Sequence, residues 1–120
     1  NILGHTAMAA AYRECGSWRD AFCSYLEGNI ALLTEFIDSS MPGVRYSPPE
    51  GTYLAWLDCR EAALPGDDPR TFFLENARVG LSDGLDFGTA GRGFARICFA
   101  SPRSILREAL ERMSEALADR

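Results

Sequence analysis

The stretch GFARICFASPRSILREALERMSEAL (residues 93–117) joins a strand pattern directly to a helix pattern. Residues 94–100 are rich in aromatic and aliphatic side chains, which predicts a β-strand. Apolar residues then recur at helical spacing, at Ile105, Leu106, Ala109, Leu110, Met113 and Leu117. Ser101-Pro102 between them is typical of a helix start, with a capping residue followed by proline. The stretch therefore predicts a strand followed at once by an amphipathic C-terminal helix.

Two further helices are predicted before this unit. Residues 2–14 (ILGHTAMAAAYRE) are rich in alanine, the residue with the highest helix propensity. Ser17 then resembles an N-cap, with Asp20 three positions later as an acidic capping partner. Apolar residues recur at helical spacing from 18 to 37, which predicts a long amphipathic helix of about 20 residues. We expect it to end before Pro42-Gly43.

The middle of the chain predicts the rest of a small sheet. Val44–Tyr46 and Thr52–Cys59 are strand candidates, and Arg78–Leu81 is a third. Asp68-Pro69 predicts the start of a short helix, and residues 82–93 predict a loop rich in Gly and Asp. The order of elements indicates an α+β fold, in which a small, mainly antiparallel sheet of three to four strands is covered by helices on one face. A long helix precedes this layer.

Composition excludes several classes of function. The chain has 120 residues, 47% of them hydrophobic, which fits one ordinary globular domain. Its formal net charge is -5, and all 12 of its basic residues are arginines. Acidic balance and the lack of a basic run disfavour binding to nucleic acid, including an RNA-binding sheet. No apolar run approaches the length of a membrane span, about 20 residues.

The cysteines and the single histidine do not predict a metal site. Cys15, Cys23, Cys59 and Cys98 form no C-x-x-C pair, and His5 stands alone, so the short ligand spacings of a zinc site are missing. We expect four mostly buried free thiols in a reducing cytosol. The tryptophans Trp18 and Trp56 are expected in the core.

Arg96 is the strongest candidate for a functional side chain. Alternation along the strand places it on the same face as Phe94 and Cys98, opposite Ala95 and Ile97. A permanent charge in an apolar strand is costly unless it is paired, and a planar guanidinium can bind a carboxylate through two parallel hydrogen bonds. From spacing alone three interpretations stay open, namely a carboxylate ligand, an internal ion pair, or an arginine at a sheet edge facing water.

Four motifs together resemble one enzyme family. They are PEGTYLAWLD (49–58), ARVGLSDG (77–84), FG (87–88) and GFARICFASPR (93–103). In combination they are similar to the C-terminal portion of pyridoxal-phosphate-dependent class I/II aminotransferases of fold type I. The branch that the chain resembles most is the C–S lyases of the MalY/PatB type, which cleave cystathionine and related thioethers.

The resemblance implies a division of the chain and of the chemistry. Residues 1–16 would be the end of the large, cofactor-binding domain, or an N-terminal helix, and residues 17–120 the small domain with its bridging helix. Arg96 would bind the substrate α-carboxylate, and Tyr53 would lie near the substrate, although a packed sheet tyrosine is an equal alternative. Arg103 is expected to be a surface or structural residue.

The cofactor would be anchored outside this chain. Pyridoxal phosphate needs a lysine for its covalent attachment, and the chain has none. The resemblance therefore implies a fragment that is inactive alone, holds no cofactor and no catalytic residue, and belongs to a cytoplasmic homodimer acting on an amino acid or thioether. A true aminotransferase is the close alternative, and a non-catalytic module that senses an amino acid is the alternative from another class.

Overall fold

A computed structural model describes residues 1–120 as four helices and three strands. The elements in chain order are α1 (Ile2–Glu14), α2 (Gly16–Ser40), β1 (Leu54–Asp58), α3 (Pro69–Asn76), β2 (Ser82–Asp83), β3 (Phe94–Cys98) and α4 (Arg103–Ala118). Strand β3 lies in the centre of the sheet, between β1 and β2, and both pairs are antiparallel. The predicted α+β fold, with a three-stranded antiparallel sheet, is confirmed.

The helices cover one face of the sheet. Two residues of each long strand are at most 5% exposed and point into this layer, namely Ala55 and Leu57 of β1 and Ala95 and Ile97 of β3. Their helical partners in the hydrophobic core include Leu33, Ile37, Phe72, Phe73, Leu106, Leu110 and Met113. The alternate residues of both strands, among them Arg96, therefore lie on the opposite face, which no α-helix covers.

Helices α1 and α2 are almost continuous. Only Cys15, with φ -99° and ψ 21°, interrupts them, and its amide still donates to the Ala11 carbonyl. The predicted N-cap at Ser17 is wrong, because α2 begins at Gly16 and the Asp20 carboxylate binds the Arg19 side chain instead. Helix α1 has no buried residue, so it stands outside the helical layer.

Two predicted strands are absent. Residues 78–81 form no strand, because Arg78 takes a positive φ of 58° directly after α3 and the chain pairs with β3 only at Ser82–Asp83. Residues 44–46 contribute a single antiparallel bridge, between Arg45 and Asp58. The sheet consequently gains its third strand from the first two residues of the segment that was predicted to be a loop.

The two predicted cap-plus-proline helix starts differ in outcome. Asp68 caps α3, since its side chain accepts from the Thr71 amide at 2.9 Å with Pro69 in the first turn. Helix α4, in contrast, begins at Arg103 after Pro102, without a side-chain cap. The prediction that Ser101 caps α4 is therefore wrong.

Three of the four thiols are exposed, contrary to the prediction that most are buried. Cys15, Cys23 and Cys98 are exposed, and only Cys59 is buried. The tryptophans are not in the core either, since Trp18 is 66% exposed and Trp56 is 37% exposed.

No helix is both long enough and apolar enough to cross a membrane.

Burial of Cys59 predicts a loss of stability at alkaline pH. Burial raises the pKa of its thiol to about 12, whereas an unfolded cysteine has a pKa of about 8.5. The neutral thiol therefore favours the folded state fully below pH ~8.5, and this contribution is lost as pH rises from there towards 12, by up to ~1.4 kcal/mol per pH unit.

The measurement is urea denaturation of wild type and of Cys59→Ala between neutral and alkaline pH. The two proteins share every other titratable group, so the difference in their pH profiles isolates the thiol. The exposed Cys98→Ala provides the control and should follow the wild-type profile. Parallel profiles for wild type and Cys59→Ala would show that Cys59 is not buried as described.

Candidate functional site

Arg96 lies in the middle of the central strand, on the uncovered face of the sheet. Its register partners are Trp56 on β1 and Ser82 on β2. Alternation placed this side chain correctly, because Ala95 and Ile97 are buried while Phe94 and Arg96 are half-buried and Cys98 is exposed. The guanidinium thus projects from the central strand onto the face of the sheet that no α-helix covers.

The guanidinium of Arg96 has polar and aromatic neighbours but no acidic one. Its Nη2 donates to the Ser82 hydroxyl at 3.2 Å, and its central carbon lies 4.4 Å from the ring centre of Phe87. None of the four ion pairs in the structure includes Arg96. The internal ion pair that the sequence left open is therefore not formed, and the guanidinium keeps donors free for an external carboxylate.

Arg60, on the same face, differs from Arg96 because its guanidinium is paired with a carboxylate of this chain. It lies over the Phe94 ring, 4.7 Å from its centre, but both ends of its fork bind Asp58, at 2.8 Å and 2.6 Å. These hydrogen bonds hold the pKa of Asp58 below its usual range. Arg60 already has its carboxylate, whereas Arg96 has the same aromatic support and none.

Aromatic rings connect the two arginines. Trp56 meets Phe87 edge to face, with 5.4 Å between ring centres, and stacks on Phe94 at 5.7 Å. Such pairs restrict the positions of the rings and hence of the cations above them. An open groove of about 510 Å³ adjoins this cluster, and its lining includes Tyr46, Trp56, Arg60 and Phe94.

Tyr53 does not contact Arg96 through a hydrogen bond. It precedes β1 and is 50% exposed, and its carbonyl accepts from the Phe99 amide at 3.0 Å. The residue before it, Thr52, has a positive φ of 69°, a conformation that is rare for a β-branched residue. Tyr53 thus lies beyond the strand end at which Leu54 pairs with Cys98, and its role near a substrate stays a prediction.

Sequence reasoning missed Ser82 and Phe87 as neighbours of Arg96. Both residues lie in the loop 82–93, which the family resemblance places at the mouth of the active site, but neither was predicted to contact Arg96. Their contacts with Arg96 arise because Ser82 begins β2 and residues 84–87 then form a turn of 3₁₀-helix. The signals available in the sequence were that resemblance and the short distance along the chain between this segment and the strand.

The glycines of residues 82–93 serve chain packing rather than phosphate binding. A side-chain carbon on Gly84 would lie 2.1 Å from the Gly91 carbonyl oxygen, and one on Gly91 would lie 2.0 Å from that of Gly84. The two backbones therefore touch, which only glycine permits. The segment folds into two short 3₁₀ turns and leads into a strand, whereas a phosphate cradle leads into a helix.

The residues present do not fit pyridoxal phosphate by themselves. The chain has no lysine for covalent attachment, and the glycine-rich segment offers no phosphate cradle. No group of three or more His, Cys, Asp or Glu side chains is placed to share a metal ion. The site therefore consists of one positioned cation with aromatic walls, which can bind and orient an anion.

Comparison with known proteins finds relatives that match nearly the whole chain. No family model matches the chain. A protein of Mycobacterium tuberculosis (strain ATCC 25618 / H37Rv), provisionally named a cystathionine beta-lyase, is 44% identical over 98% of this chain and 33% of its own length. The cystathionine beta-lyase PatB of Bacillus subtilis is 30% identical over 98% of this chain and 30% of its own length.

A solved structure agrees with these sequences. Cystalysin from Treponema denticola, which contains a pyridoxal 5'-phosphate cofactor, superimposes with a TM-score of 0.88 at 34% identity, over 98% of this chain and 30% of that one. The chain is homologous to the MalY/PatB-type C–S lyases. It spans about one third of the length of the curated relatives that it matches.

Proposed function

We propose that this chain is the C-terminal, substrate-binding domain of a longer pyridoxal-phosphate-dependent C–S lyase, and that Arg96 binds the α-carboxylate of the substrate. The observation that carries the proposal is the Arg96 guanidinium, which rests on Phe87 and lacks an internal acid. Homology to lyases over nearly the whole chain supports it.

The contribution of this chain is binding and orientation. The cofactor and its covalent anchor would come from the remaining part of the protein, because no lysine is present here. A forked guanidinium fixes both the position and the angle of a carboxylate, and fixing a reactant in this way lowers the barrier without chemistry by the binding group. The expected overall reaction is β-elimination of a thioether amino acid to pyruvate, ammonia and a thiol.

Several finer assignments accompany the proposal. We infer that residues 1–16 end the large domain and that residues 17–120 form the small one, which is supported by the absence of buried residues in α1. Tyr53 is proposed to lie at the substrate. The whole protein is proposed to be a cytoplasmic homodimer, on the basis of resemblance alone.

Release of pyruvate from L-cystathionine tests the proposal against its two alternatives. The full-length protein should form pyruvate and a thiol when no 2-oxo acid is added as an amino-group acceptor. Turnover that requires a 2-oxo acid acceptor and yields no thiol would instead identify an aminotransferase, in which Arg96 could serve equally. Calorimetry on the isolated 120-residue chain should show no binding of free L-cystathionine, and tight binding would favour an amino-acid sensor.

A further inference from the structure

A cluster of polar contacts joins the long helix α2 to the end of the central strand. Asn29 in α2 is the one polar residue in the buried set, with 0% exposure. Its side-chain amide donates to the carbonyls of Phe99 at 2.8 Å and Ser101 at 3.0 Å. Because a buried amide must satisfy its donors, these two bonds fix the main chain directly after β3.

Arg103 completes the cluster from the first turn of α4. Its Nε donates to the Asn29 side-chain oxygen at 3.0 Å, and its Nη2 donates to the Tyr25 carbonyl at 3.0 Å. Its backbone amide donates to the Tyr25 hydroxyl at 2.7 Å, and its guanidinium lies 4.7 Å from the centre of that ring. One arginine thus binds two residues of α2 that lie one turn apart, and no acid takes part.

Gly28 provides the space for this guanidinium. A side-chain carbon at that position would lie 2.3 Å from Nη2 of Arg103 and 2.9 Å from its central carbon. Glycine inside a helix is unfavourable relative to alanine, so its presence in the middle of α2 has a specific use. It lets Arg103 lie flat on the helix backbone.

We propose that Asn29, Arg103 and Gly28 form a latch that holds β3 to α2 and thereby positions Arg96, an inference that rests on the proposed function of Arg96. Arg96 lies in the strand whose C-terminal end the latch binds, three residues before Phe99. With the latch closed, α2 and the Arg96 guanidinium move as one body. Without it, that end of β3 is held to α2 by apolar packing alone, which is not directional.

Gly28→Ala is the sharpest test, because it separates positioning from stability. Helix propensity favours alanine, which offsets part of the cost of leaving the buried Asn29 side-chain oxygen without its donor, so this variant should lose less stability than a truncation in the core. The added carbon nevertheless displaces the Arg103 guanidinium from α2. If the latch positions Arg96, this variant loses recognition of the carboxylate although it is more stable than a variant with a truncated core residue.

The readout is the dissociation constant of ethylamine divided by that of L-alanine. Both are measured on the full-length protein by the absorbance change of its cofactor, and a high ratio means that the carboxylate is recognised. The two probes differ by one carboxylate, and neither has a thiol to eliminate. Gly28→Ala is expected to lower this ratio at least about threefold and at most about 100-fold, the range for displacing a positioning group by up to 1 Å. Arg103→Lys, which keeps the charge but loses the fork, should lower it similarly.

Two further variants decide what a result means. Leu33→Ala truncates a fully buried side chain of the same helix, so it should lower stability and leave the ratio unchanged. Arg96→Ala should bring the ratio close to 1, because the carboxylate of L-alanine then has no partner. An unchanged ratio in Arg96→Ala would overturn both the proposed function and the latch. The latch alone is overturned if Arg96→Ala brings the ratio close to 1 but Gly28→Ala and Arg103→Lys keep the wild-type value. It is also overturned if Leu33→Ala lowers the ratio as much as Gly28→Ala and Arg103→Lys do.

Discussion

Replacing Arg96 with alanine in the full-length protein is expected to lower kcat/KM for L-cystathionine by about 30- to 5,000-fold. This corresponds to ~2–5 kcal/mol, the range for removing one partner of a buried charge pair. The loss is expected to be large because no other cation of the site is free to replace Arg96. Arg60, the other arginine of this face, is bound to Asp58 at both ends of its fork.

Arg60→Ala is the matched control for this prediction. Both arginines lie over a phenylalanine ring on the uncovered face of the sheet, and they differ in that Arg60 already binds an acid. We expect kcat/KM of Arg60→Ala to stay within about threefold of wild type, as for a surface ion pair. Equal losses in the two variants would indicate a general effect of charge on this face rather than a carboxylate site at Arg96.

Replacing Phe73 with alanine is expected to lower the free energy of unfolding of this chain by about 3–5 kcal/mol, the usual cost for a buried phenylalanine. Phe73 is 0% exposed and meets Phe72 edge to face, with 5.3 Å between the ring centres. It belongs to α3, which has only eight residues, so most of the stability of that helix must come from packing. Urea denaturation of the 120-residue chain measures the change.

Leu74 of the same helix gives the contrast. It follows Phe73 directly but is 47% exposed, so Leu74→Ala removes little buried area. We expect it to change the free energy of unfolding by less than ~1 kcal/mol. Similar values for Phe73→Ala and Leu74→Ala would mean that α3 does not pack into the core in the way described.

The face of Arg96 could be predicted because strand alternation is a local rule. Once residues 94–98 are extended, Ala95 and Ile97 must share one face and Arg96 the other. The same holds for Asp68, whose capping bond to Thr71 spans three residues. Features that depend on a few consecutive residues, including the long helix and the α+β class, followed from the sequence.

Features that depend on distant partners did not follow from the sequence. Residues 78–81 have strand composition, but β2 begins at Ser82 because that residue pairs with Arg96, 14 positions away. Serine is a residue type that often caps helices, but the Ser101 carbonyl accepts a hydrogen bond from the side chain of Asn29, 72 positions away. Neither partner can be read from local pattern, so the surroundings of Arg96 required the structure.

Helical periodicity also overestimated burial at the start of α2. Trp18 fits the apolar stripe of the helix, yet it is 66% exposed, and Tyr12 in α1 is 87% exposed. Periodicity tells which residues share a face but not what covers that face. The exposed apolar residues of α1 and of the first turns of α2 have no covering element within this chain.

The central claim is tested most directly by a crystal structure of the full-length protein with a bound amino-acid substrate analogue. The account predicts that two nitrogens of the Arg96 guanidinium lie about 2.7–2.9 Å from the two oxygens of the α-carboxylate, the geometry of a forked pair. A carboxylate bound by other residues, with Arg96 directed into solvent or paired with an acid of the large domain, would contradict it.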